Sequence, residues 1–76
     1  MDPDPSRDVD ALLDEMIEGQ RARLVALARR ISPELTEDDL MQPHDHRAIA
    51  AHPAFQFEDG ILAGYLAVRA ALRARR

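Results

Sequence analysis

Apolar positions recur along this chain at helical spacing in two long stretches and at no regular spacing between them. From Val9 the pattern runs Val9, Leu13, Met16, Gln20, Leu24, Leu27 and Ile31, with Leu12 and Ile17 alongside. Steps of three and four residues place one apolar stripe on a helix. The spacing predicts a long helix over about 6–31, roughly 37 Å in length. Asp4 or Ser6 can cap it and Pro5 suits its first position. Asp8 and Asp10 fall in its first turn and Arg29 and Arg30 in its last, each on the side that the helix dipole favours. Ser32-Pro33 stops it. Gly19 is its weak point, and Gln20 is a polar residue on an otherwise apolar seam.

The second stretch, FEDGILAGYLAVRAALRARR, predicts a helix over about 57–75 with two stripes. The bulky one holds Phe57, Ile61, Tyr65, Val68 and Leu72, widened by Leu62 and Leu66. The small one holds Gly60, Gly64, Ala67, Ala71 and Ala74. Each Gly in a helix interior costs about 0.8–1 kcal/mol relative to Ala. Two glycines one turn apart therefore imply close backbone approach by another helix.

Between the long stretches, Pro33, Pro43 and Pro53 leave room only for short helices. Thr36 with Asp39 resembles a capping box and opens a short helix over about 36–42. Asp45 is the expected cap of a second over about 45–52, which Pro53 ends. Gln56 or Phe57 then begins the last helix, with Glu58 and Asp59 in its first turn. No alternating Val/Ile/Thr run predicts a strand. The expected fold is all-α: an antiparallel hairpin of two long helices joined by two short helical turns, after a flexible start over 1–5, as a single domain over 6–76.

Charge supports the antiparallel arrangement. Residues 1–20 sum to −6, 21–31 to +4, 32–59 to −6 and 60–76 to +4. Antiparallel helices bring Asp10, Asp14 and Glu18 towards Arg69, Arg73 and Arg75, and Arg29 and Arg30 towards Glu58 and Asp59. Exposed pairs contribute about 0–1 kcal/mol each, so they orient more than they stabilise.

A chain of 76 residues without cysteine buries only about 60% of its unfolded surface and has no disulfide to compensate. Sharing the core with a second copy is the expected remedy. The acidic, proline-containing N-terminus is no secretory signal. The spacing of Gly60 and Gly64 resembles a membrane dimerisation motif, yet only nine uncharged residues separate Asp59 from Arg69, far short of the ~20 of a span. The expectation is a cytoplasmic protein. All ten basic residues are Arg, the composition of a GC-rich, bacterial genome.

Candidate chemistry is sparse. His44, Asp45, His46 and His52, with Glu58 and Asp59 nearby, offer metal-ligand types, but a separation of six between His46 and His52 does not align them on a helix. Metal binding through His44, His46 and His52 is the alternative to an interaction role. Glu37-Asp38-Asp39 lacks the glycine and ligand spacing of a calcium loop. Asp14, Glu15 and Glu18 form no acid-base pair with a sign of burial. With no Cys, and hydroxyls only at Ser6, Ser32, Thr36 and Tyr65, no activated nucleophile is legible. Arg69, Arg73, Arg75 and Arg76 could grip nucleic acid, a weaker reading because the net charge of −4 repels a polyanion. The expected function is a non-catalytic, self-associating module, a homodimer that binds another protein. It needs no cofactor, and its interface residues are Gly60, Ile61, Leu62, Gly64, Tyr65, Leu66, Val68 and Leu72.

Overall fold

The computed structural model describes residues 5–75. The expected cap Asp4, most of the N-terminal stretch read as flexible, and Arg76 lie outside the described residues. The chain is all-helical, with no strand among the described residues. Two long helices, α1 (Pro5–Ile31) and α4 (Pro53–Ala74), are separated by α2 (Glu37–Met41), a 3-10 turn (Pro43–Asp45) and α3 (Arg47–Ala50).

The seam of α1 differs in detail from the sequence pattern. Its buried residues are Leu13, Ile17, Gln20, Leu24 and Ala28, spaced by four, three, four and four, with Leu27 and Ile31 packed beside them. Val9 and Met16, expected on the seam, are exposed. Ile17 takes the place of Met16 because it stands four residues after Leu13, directly over it on the helix surface. The Ser32 N–H donates to the Ala28 carbonyl at 2.9 Å, closing the last turn before Pro33.

The capping box at Thr36 is formed. The Asp39 N–H donates to Thr36 Oγ1 at 3.2 Å, and the Thr36 N–H donates to Asp39 Oδ2 at 3.1 Å. The other two expected boundaries are corrected. Asp45 is not a helix cap but the last residue of the 3-10 turn, and His46 occupies the cap position of α3 without a side-chain hydrogen bond. Pro53 does not end a helix; it begins α4, four residues before Phe57. Proline at the first helical position gives up an N–H that would lack a partner there, and its φ is already helical. His52 completes this start by accepting from the Ala54 N–H through Nδ1 at 3.2 Å. Glu58 and Asp59 consequently stand in the second turn of α4.

The core joins every helix. Leu13, Ile17, Leu24 and Ala28 come from α1, Leu40 from α2, Ile49 from α3, and Phe55 and Leu62 from α4. Ile17, Ile49 and Phe55 are the largest fully buried side chains, each stabilising the fold by about 1.5–3 kcal/mol through transfer from water. Phe55 and Phe57 diverge because two residues on a helix are about 200° apart: Phe55 is in the core and Phe57 is 69% exposed.

Gln20 explains its place on the seam. It is buried, and its Nε2 donates both to the Glu58 carbonyl at 2.8 Å and to Glu58 Oε2 at 2.6 Å. Further along, Arg69 Nη1 meets Asp14 Oδ1 at 3.2 Å, one of the charge pairs anticipated from the sequence. These two ties fix which part of α4 lies beside which part of α1. Gln20→Met keeps the volume and removes the hydrogen bonds. It is expected to lower stability by about 1–3 kcal/mol, measured as the shift in urea-unfolding free energy.

Candidate interaction surface

The residues expected to form an interface separate into two groups. Leu62 is buried in the core, and Tyr65, Leu66 and Leu72 pack against it. They serve the chain's own fold. Gly60, Gly64 and Val68 are exposed, and Ile61 is half-buried. The glycines are not there to admit α1: a Cβ built on Gly60 or Gly64 meets nothing within 4 Å. The expectation of close backbone approach at these glycines is therefore not met within the chain. Its cause is rotational. Leu62, four residues from Leu66 and seven from Phe55, faces the core, and at about 100° per residue Gly60, Gly64 and Ala71 fall on the side turned away from it, next to the flank that holds Phe57, Ile61 and Val68.

That flank is more extensive than the sequence pattern of α4 indicated. At about 100° per residue, Val9, Leu12, Met16 and Leu27 share one flank of α1 with Arg23. Arg23, Leu27 and Arg30 border a cleft together with Phe57 and Glu58 of α4, so the flanks of the two helices meet on one side of the molecule. Val9, Leu12, Met16, Phe57 and Val68 are all exposed there, Leu12, Phe57 and Val68 by more than half. The contribution of α1 was missed because Val9 and Met16 fit the same periodic pattern as core residues. Only the angular position of Leu12 hinted at a second stripe.

The charged residues of α4 between its start and Arg73 each have a partner, and Glu58 also borders the cleft beside Phe57. Glu58 accepts from Gln20, Asp59 lies 2.9 Å from His44 Nε2, and Arg69 pairs with Asp14. At about 100° per residue the exposed face of α4 from Phe57 to Ala74 carries no charge of its own, while Arg23 and Arg30 border it from α1.

The opposite side is occupied by the short helices. There α1, α2, the 3-10 turn and α4 enclose a cleft of about 550 Å³. Its floor is Leu24, Leu40, Phe55 and Leu62, and its rim includes Arg21, Arg29, Asp38, His44 and Asp59. The His44 ring stands edge-on to Phe55, with centroids 5.6 Å apart.

The three histidines do not converge. His44 meets Asp59, His46 Nε2 lies 3.4 Å from Asp39 Oδ1, and His52 caps α4. No group of three or more His, Cys, Asp or Glu side chains is placed to hold a metal ion among the described residues. Within Glu37-Asp38-Asp39, Asp39 is committed to the capping box and Asp38 to the cleft rim. Of the C-terminal arginines, Arg69 is paired with Asp14, while Arg73 and Arg75 are exposed. No helix among the described residues is long and apolar enough to cross a membrane.

The hydrogen bonds to Thr36, backbone first and then side chain, hold the Asp39 carboxyl below its ordinary value of 3.8, with His46 adding to the effect. Comparison of the chain with protein-family models, with curated proteins and with solved structures returns no match.

Two predictions follow from these placements. A carboxyl whose pKa is lower in the folded chain stabilises it above the unfolded value and loses that contribution as pH falls through the folded one. The stability of Asp39→Asn, compared with the parent by urea unfolding, is therefore expected to fall less steeply below about pH 3.8. With the histidines turned to separate partners, stoichiometric Zn²⁺ is expected to leave the melting temperature unchanged.

Proposed function

We propose that the chain is an antiparallel helical hairpin whose exposed apolar flank binds a second copy, giving a bundle of four long helices. Its activity is protein association without catalysis. The observation that carries this reading is the flank itself: Val9, Leu12, Met16, Phe57 and Val68 stand exposed on one side of two adjacent helices. Apolar surface continuous across two elements marks an interface more often than isolated exposed side chains do. A further protein partner would meet the assembled dimer at the surfaces that remain.

A second reading rests on the cleft beside the short helices. Its volume of about 550 Å³ is within the range of small-molecule sites. An apolar floor with Arg21 and His44 at the rim suits a small amphipathic molecule better than a metal ion.

Tyr65 and Leu66 pack against the core, so substituting them would confound assembly with folding. Val68 and Phe57 are suitable positions. Light scattering is expected to give twice the chain mass at micromolar concentration. Val68→Glu or Phe57→Glu is expected to raise the dissociation constant at least ~100-fold, because a buried unpaired carboxylate costs several kcal/mol. Helical circular dichroism should be retained. A parent chain that is monomeric throughout overturns self-association and leaves the cleft as the standing reading.

A further inference from the structure

We infer that the second copy docks with its α1 running antiparallel against this α1, about a two-fold axis that passes at Gly19. The inference rests on the self-association reading and specifies its geometry.

The face of α1 turned away from the short helices has a direction written in its charges. At about 100° per residue, Leu12, Met16, Arg23, Ala26 and Arg30 fall within a sector of about 60°, and all five are exposed. Asp8 and Glu15, exposed as well, stand at the edge of that sector remote from the core seam. The face is thus apolar and acidic over its first half and basic over its second. These charges are unused within the chain. Asp14, on another face of α1, is engaged by Arg69, whereas none of Asp8, Glu15, Arg23 and Arg30 has an ion-pair partner among the described residues. Glu58 borders the same cleft as Arg23 and Arg30, yet its carboxylate accepts from Gln20 at 2.6 Å and not from either arginine.

Charge complementarity identifies the occupant. A helix face with free acids at one end and free bases at the other is complementary to its own copy turned end for end. In a two-fold contact residue i meets residue j of the partner, and j meets i. With Gly19 on the axis, Asp8 is opposite the partner's Arg30, Glu15 opposite the partner's Arg23, and Leu12 opposite the partner's Ala26. Symmetry repeats each pair on the other side of the axis. Parallel, in-register pairing sets Glu15 on Glu15 and Arg23 on Arg23, which repel. Sliding the antiparallel pair by one heptad strands Asp8 and Arg23 in one direction, and Glu15 and Arg30 in the other. Direction and register are therefore both selected by charge. Exposed ion pairs contribute little energy each. The attraction comes from Leu12 and Met16 leaving water, and the charges choose the geometry in which they do so.

Charge reversal tests this arrangement, with the dimer dissociation constant read by light scattering at low salt. Glu15→Arg and Arg23→Glu are each expected to raise it at least ~10-fold, because each sets like charges opposite one another on both sides of the axis. Helical circular dichroism should be retained, since neither residue has an ion-pair partner within the chain. Combining Glu15→Arg with Arg23→Glu exchanges the two signs and is expected to bring the constant back to within about threefold of the parent. Cross-linking gives a second reading, since a disulfide needs Cα atoms within about 4.4–6.8 Å: mixed Leu12→Cys and Ala26→Cys chains are expected to join each other in preference to themselves. A dimer that neither single reversal weakens, that the double reversal fails to restore, or whose Leu12→Cys chains prefer to join themselves overturns this geometry and leaves self-association intact. A monomeric parent overturns both.

Discussion

A body 51 Å long and 19 by 18 Å across is only about two helix diameters thick. Its radius of gyration, 15.2 Å, exceeds the ~11.4 Å of a compact chain of this length. Such a rod can bury one stripe of each long helix and no more. That limit governs the rest. The seam between α1 and α4 takes Leu13, Ile17, Leu24 and Ala28 on one side and Phe55 and Leu62 on the other. Any apolar residue more than about a quarter-turn from it must find cover from a short helix, from another molecule, or not at all.

The short helices provide cover on one side only. Leu40 and Ile49 reach the core from there, and the prolines that punctuate this region set where each piece starts. Pro43 opens the 3-10 turn and Pro53 opens α4. The polar groups here are occupied in holding local geometry: Thr36 and Asp39 with each other, His52 with α4, and His44 with Asp59. The polar side chains of this region are thus spread over caps and ties. The side away from the short helices keeps its apolar residues exposed.

Gln20 shows how a polar residue can belong on a buried seam. Its amide satisfies the Glu58 side chain and backbone together, and a buried polar group with no partner would be strongly unfavourable. A slide of α4 by one turn would leave the amide unpaired, so the contact specifies register where leucines alone would tolerate several.

The all-helical class, both long helices, the Thr36 capping box and the pairing of Asp14 with Arg69 were legible in the residues, because helix periodicity, caps and charge signs act locally or over whole segments. The start of α4 was misread, since Pro53 is compatible with ending one helix or beginning the next, and only the position of His52 distinguishes them. Which of Met16 and Ile17 enters the core, and whether Leu62 or Gly64 faces α1, were decided by tertiary structure alone. Neighbouring stripes on a helix differ by a rotation of some tens of degrees. The periodicity of one strand of sequence gives the stripes, but the rotation is set by what the other helices bury.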